Sequence, residues 1–156
     1  MNLFNLHTEP RKLLNYNNRL QVPEIAWDLM KNDKELMLQN KDVFMHDSTW
    51  ISRWSTLTRQ RATREAERVM YEAGDVHTVY YGEMWWDSFM DNGHKRITEI
   101  EDALLQSEDP EAIIEYCNFV LQGRWGEAEG IVFADEHWGE LYREDVIELH
   151  GENSGI

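Results

Sequence analysis

Apolar side chains recur along this chain at steps of three and four residues. Over residues 48–73 the series Ile51, Trp54, Thr58, Ala62, Ala66, Val69 and Ala73 winds one face along a single long helix, because 3.6 residues per turn returns such positions to the same side. Residues 136–149 repeat the pattern with Trp138, Leu141, Tyr142, Val146 and Leu149, and Ile113, Tyr116, Cys117, Val120 and Leu121 make a third stripe. The least distinct segment is 76–81, VHTVYY, whose β-branched and aromatic residues also suit a short strand. Asp75, a favourable N-cap, turns the expectation to helix.

Punctuation agrees with the stripes. Asp109-Pro110 sets an N-cap before a proline at the first helical position, Thr98 and Glu101 have capping-box spacing, and Gly74, Gly93, Gly123 and Gly151 stand where helices should end. Three prolines, and no glycine before Gly74, are too few turn residues for a sandwich or barrel, and no valine- and isoleucine-rich runs suggest a parallel sheet. The fold class expected is all-α.

The chain also repeats itself. Glu65-Ala66-Glu67, Glu99-Ile100-Glu101 and Glu127-Ala128-Glu129 each precede an apolar triplet and then Asp75, Asp109 or Asp135. The second helix recurs as well: Asp109, Tyr116, Val120 and Leu121 answer to Asp135, Tyr142, Val146 and Ile147, and Val43-Phe44, Asp47, Trp50 and Trp54 echo Val132-Phe133, Asp135, Trp138 and Tyr142. Periods of about 20–50 residues in helical pairs signify stacked hairpins, none of which buries its apolar face alone. One domain of stacked antiparallel hairpins is therefore expected, with weakly basic N-terminal helices over 1–64, acidic hairpin repeats over 65–151 and a flexible tail at 152–156. Tyr116 and Tyr142 should hold equivalent places in successive hairpins, over Val120 and Val146.

With Tyr116, Val120 and Leu121 before it, the segment from Gly123 through Arg124, Trp125, Gly126, Glu127 and Ala128 to Glu129 resembles the YAxxVIxGRWPEAE repeat of helical-repeat proteins from bacteriophages. The likeness covers roughly residues 109–147 and departs from the pattern at Gly126, where the repeat usually has proline. It implies a viral helical array and carries over no catalytic residue.

Charge changes the picture from fold to partner. Residues 1–64 carry ten Lys/Arg and seven Asp/Glu, a balance of +3, whereas residues 65–156 carry five and twenty-three, a balance of −18. Solubility does not require such polarisation; steering towards a basic partner does. Glu136, Glu140, Glu144 and Glu148 follow one another at i, i+4, opposite the apolar stripe of the last helix, and Glu111 and Glu115 oppose Ile113, Tyr116 and Val120. A solvated face normally mixes in lysine, yet residues 97–156 hold only Arg124 and Arg143 against sixteen acids. Carboxylates about 6 Å apart along a helix approximate the phosphates of a nucleic-acid strand. On the basic side, Arg53, Arg61, Arg64 and Arg68 fall on one side of the long helix near Trp50, Trp54 and Leu57. Trp50, Trp54, Arg61, Arg64, Arg68 and Trp125 are accordingly candidate anchors or contacts between copies of the chain.

Catalytic chemistry is sparse. There is no HExxH, GxxxxGK[ST], GxGxxG or GxSxG; Asp91 and His94 form a lone carboxylate–histidine pair, and Asp87, Asp91 and Gly93 lack the alternating oxygen ligands of a calcium loop. Glu99, Glu101, Asp102, Glu108 and Glu111 could suggest a magnesium-dependent nucleotide hydrolase, but they lack the paired ExxE and ExxD arrangement. Cys117, the one cysteine, lies in an apolar stripe and reads as a structural thiol. No long apolar h-region opens the chain and no apolar run would span a membrane. The sequence predicts a non-enzymatic, cytoplasmic binding protein without cofactor, of phage type, that inhibits a host protein complex by occupying its basic nucleic-acid-binding surface. It is expected to bind neither nucleic acid nor membrane directly; a homodimer, an assembly adaptor and the hydrolase remain the alternatives.

Overall fold

A computed structural model describes residues 21–85 and 96–156 of the chain. Gly93 and the Asp91–His94 pair lie outside the described residues. Within them the structure is all-α, with no strand. The described residues gather into two compact units that divide between Val69 and Met70.

In the first unit, α1 (Gln21–Met30), α2 (Lys34–Gln39), a 3₁₀ turn (Lys41–Phe44) and α3 (Ser48–Thr58) pack on one another, and α4 (Arg64–Ala73) begins. Trp27, Phe44 and Trp50 meet with ring centroids 5.8–6.2 Å apart, and Trp54 donates its indole N–H to the carbonyl of Met37 at 2.9 Å. Asp47 caps α3 by accepting from Thr49 N.

The single long helix expected over 48–73 is instead two. Arg59 takes the left-handed conformation, φ 58°, with its N–H bonded to Ser55 O, so α3 ends one residue earlier. The local cause is hydroxyl chemistry: Thr56 and Thr58 donate back to the carbonyls of Ser52 and Trp54, Ser55 Oγ donates to Gln60 O, and Thr63 Oγ1 accepts from Ala66 N to start α4. Such side-chain bonds compete with the helical ladder and favour ends over interiors.

The second unit continues α4 into α5 (Val76–Met84), then α6 (Thr98–Ser107), α7 (Pro110–Tyr116), α8 (Glu129–Val132) and α9 (Glu136–Tyr142). The segment 76–81 is helical as Asp75 suggested: its carboxylate accepts from His77 N and Thr78 N, and Thr78 Oγ1 accepts from Asp75 N, a complete capping box. Asp109 and Asp135 cap α7 and α9 through Glu111 N, Ala112 N and Trp138 N, with Pro110 opening α7. After Tyr116 and again after Tyr142 the helix widens into a π turn, Cys117–Leu121 and Arg143–Glu148. The two π turns pack together, α7 packs against α5, α6, α8 and α9, and a continuous core includes Ile100, Leu104, Ile113, Tyr116, Val120, Trp125, Val132, Tyr142 and Val146.

Three local expectations change. Thr98 and Glu101 form no capping box, because the N-cap is Ile97 and the Glu101 carboxylate is taken by Arg96 and Tyr116. Gln122, at φ 53°, and not Gly123 is the left-handed residue after the first π turn; a Cβ on Gly123 would lie 2.3 Å from Gly155 N. Residues 152–156 fold back on the chain: Ile156 N donates to Arg124 O at 2.8 Å and Gly126 N to Ile156 O at 2.9 Å. Gly74 and Gly151 do have positive φ. Glu108 ends α6 at φ 54°, a conformation that costs a side-chain-bearing residue about 1 kcal/mol. Glu108→Gly is therefore expected to raise stability by about 0.5–1 kcal/mol in urea melts; an unchanged or lower midpoint contradicts this.

Candidate partner-binding surface

The acids of the second unit divide into those bound inside the fold and those left outside. Inside, one arrangement occurs twice. Arg96 clasps Glu101, Nη2 to Oε1 at 2.7 Å and Nε to Oε1 at 3.1 Å. Tyr116, returning on the next helix, donates its hydroxyl to Glu101 Oε2 at 2.7 Å and accepts from Ile97 N at 3.0 Å. In the next hairpin Arg124 clasps Glu129, Nε to Oε1 at 2.7 Å and Nη2 to Oε2 at 3.0 Å, while Tyr142 donates to Glu129 Oε1 at 3.0 Å and accepts from Trp125 N at 2.9 Å. Tyr116 and Tyr142 thus hold equivalent places, one closing each hairpin over its own beginning, and Trp125 packs on Tyr116 at 5.2 Å to join the two. Arg61 and Glu67 repeat the first two members, Nε to Oε1 at 3.1 Å and Nη2 to Oε2 at 3.0 Å. Bidentate, charge-assisted pairs of this kind are the strong ones.

The electrostatics follow from this geometry. Hydrogen bonding to Arg124 outweighs burial and, helped by Tyr142, holds the Glu129 carboxyl below its ordinary value. Burial pushes the Tyr116 and Tyr142 hydroxyls well up, and pushes the Cys117 thiol up to about 12. Because the folded value of Glu129 is depressed, its contribution is present above the unfolded carboxylate pKa and lost as pH falls through the folded one. Glu129→Gln should therefore flatten the loss of stability below about pH 4.5 in thermal melts; an acid limb as steep as wild type contradicts this.

Outside, Glu136, Glu140, Glu144 and Glu148 are all exposed and line one groove of about 410 Å³. A π turn has more than four residues per turn, so the i, i+4 row continues past Tyr142 without leaving this face. Arg143 lies in the same groove, with its guanidinium 5.0 Å from the ring centre of Phe133. Among the described residues, none of the ion pairs engages these four glutamates or Glu111 and Glu115. Glu111 is exposed and Glu115 half-buried on α7. Burial first, then the Glu111 charge, raises the Glu115 carboxyl, with Asp145 and Glu83 adding to the shift and a hydrogen bond from Tyr80 opposing it.

The tryptophans stand elsewhere than expected. Trp54 and Trp125 are 2% and 1% exposed and Trp50 only 9%, so all three belong to the cores and are not surface anchors. Arg53 covers Trp50 at 4.8 Å. Arg61 sits in the break between α3 and α4, not on a helix face, whereas Arg64 and Arg68 are exposed on the first turns of α4. The stripe behind the glutamate row is buried at Tyr142 and Val146, but Leu149 is 70% exposed. The exposed aromatic residues that the sequence pattern does not single out are Tyr80, Phe119 and Phe133, of which Tyr80 and Phe119 meet with centroids 6.2 Å apart. The stripe through Tyr116 and Val120 left Phe119 on the outer side, which was a usable signal.

Among the described residues no group of three His, Cys, Asp or Glu side chains could hold a metal ion, and no helix is long and apolar enough to cross a membrane. Glu101, one of the acids that could suggest a hydrolase, is bound by Arg96 and Tyr116. No protein-family model matches the chain, nor does any curated protein or solved structure.

Proposed function

We propose that the chain is an acidic binding protein of phage type that inhibits a host protein complex by covering a basic, nucleic-acid-binding surface with the face built by Glu136, Glu140, Glu144 and Glu148, extended by Glu111 and Glu115. One observation carries this reading: Arg96 and Arg124 are engaged with Glu101 and Glu129 inside the fold, while the outer row stays exposed along one groove in which four glutamates face a single arginine, Arg143, itself over Phe133. Repulsion within such a row costs a few tenths of a kcal/mol per i, i+4 pair, and a cationic partner relieves it. Complementary charge also steers association.

Capture on the immobilised chain tests the reading. A host protein retained by the wild type at low salt, released as salt rises and not retained by the Glu140→Lys, Glu144→Lys double variant supports it. Equal retention by the double variant refutes it, as does a partner held at 1 M salt, where the Debye length is about 3 Å; that outcome favours an assembly adaptor.

A further inference from the structure

The aromatic residues on the acidic side supply what a row of carboxylates lacks, a shape-selective contact. Tyr80 on α5 and Phe119 in the first π turn meet edge to face at 6.2 Å, and His77 meets Tyr80 at 6.3 Å. Tyr80 neighbours Glu115 of α7, the helix that packs against α5. Glu83 follows Tyr80 by three residues on α5, and Glu111 and Glu115 precede Phe119 by eight and four residues on the helix packed against it, so all three carboxylates bear on Tyr80. An aliphatic partner seated on the rings would strip water from these carboxylates without pairing them, which is unfavourable. A guanidinium meets both demands, since its plane stacks on an aromatic face and its N–H fork pairs with carboxylates. Lysine, more strongly hydrated and without a plane, fits less well.

We propose that Tyr80 and Phe119 form a seat for an arginine side chain of a protein partner, with Glu83, Glu111 and Glu115 as its counter-charges. The seat rests on the reading of the acidic face as a protein-binding surface and specifies the residue type that face selects. It accounts for two exposed rings in contact with each other, where Trp50, Trp54 and Trp125 are buried.

The test is titration of the full chain with an octapeptide alternating glycine and arginine, and with its lysine counterpart, followed by calorimetry and by the ring-proton NMR shifts of Tyr80 and Phe119. The arginine peptide should bind more tightly than the lysine peptide and shift both rings. Phe119→Leu and Tyr80→Leu, checked for helicity by circular dichroism, should each weaken the arginine peptide about threefold to tenfold and the lysine peptide less. If either leucine variant fails to fold, the ring shifts in the wild type decide. Equal affinity for the two peptides, unmoved rings, or leucine variants that bind like wild type overturn the seat. Dependence on the Glu136–Glu148 row alone would sink the seat and leave the proposed function standing. Ring-dependent arginine binding, with a captured partner indifferent to that row, would do the reverse.

Discussion

Tyr116→Phe is expected to lower folding stability by about 1.5–3 kcal/mol, the range for a hydrogen bond to a charged group, and Tyr142→Phe by less. The hydroxyl of Tyr116 satisfies two buried groups at once, the Glu101 carboxylate and the Ile97 N–H, and removing it strands the N–H and leaves Glu101 to Arg96 alone. Glu101 has a side chain only 5% exposed, so water cannot replace the lost donor, whereas the Glu129 side chain, at 19%, has better access to solvent. Truncation of either tyrosine to alanine adds the loss of a buried ring and should cost about 3–5 kcal/mol. Urea denaturation of the four variants checks the account. A change below about 0.5 kcal/mol for Tyr116→Phe, within the usual range of a surface substitution, contradicts it, and so does the reverse order of the two phenylalanine variants.

That tyrosine pair marks how far the sequence could be read. Seven residues separate Asp109 from Tyr116 and Asp135 from Tyr142, and two turns of helix carry a capped start to a buried aromatic, so the equivalence is visible in spacing alone. Trp54 follows Asp47 at the same interval and is likewise a buried aromatic whose polar tip reaches the backbone. The partners of the tyrosines were less visible, although the chain prints them: Arg96 precedes Glu101, and Arg124 precedes Glu129, by five residues each, and Arg61 precedes Glu67 by six. Five residues is not a helical i, i+4 step, so these pairs escape a search for helix-face contacts; they form across a helix start, where the chain turns.

The break at Arg59 was hidden for a different reason. The apolar phase of Ile51, Trp54, Thr58, Ala62 and Ala66 runs through it without a glycine or proline, and the stop comes from hydroxyls bonding backwards at Thr56 and Thr58. Periodicity records which side faces the core, not whether the ladder is continuous. Tryptophan burial was misjudged because a large ring near arginines suits a hot spot and a core equally, and tertiary packing decides. The glutamate row was legible throughout, since both α and π geometry preserve a four-residue step.

The second large effect expected is kinetic. Reversing Glu140 and Glu144 to lysine changes the charge of the exposed row by four, and complementary charge acts mainly on encounter. Association with the captured partner should slow by about ten- to a hundredfold at low salt, within the reach of electrostatic steering, while dissociation changes much less. The difference from wild type should shrink as the Debye length falls from about 10 Å at 0.1 M to about 3 Å at 1 M. Surface plasmon resonance across a salt series reads both rates. A variant whose loss lies wholly in faster release, unchanged by salt, argues for contact by apolar surface instead.

Competition on the captured partner addresses the claim of a nucleic-acid-like face most directly. With labelled duplex DNA or RNA bound to the partner, the wild-type chain is titrated in at low and at physiological salt, and the label released is compared with the chain bound. The account predicts mutually exclusive binding, with label lost in proportion to chain bound, and little displacement by the Glu140→Lys, Glu144→Lys variant. A ternary complex in which nucleic acid and chain sit on the partner together would contradict it.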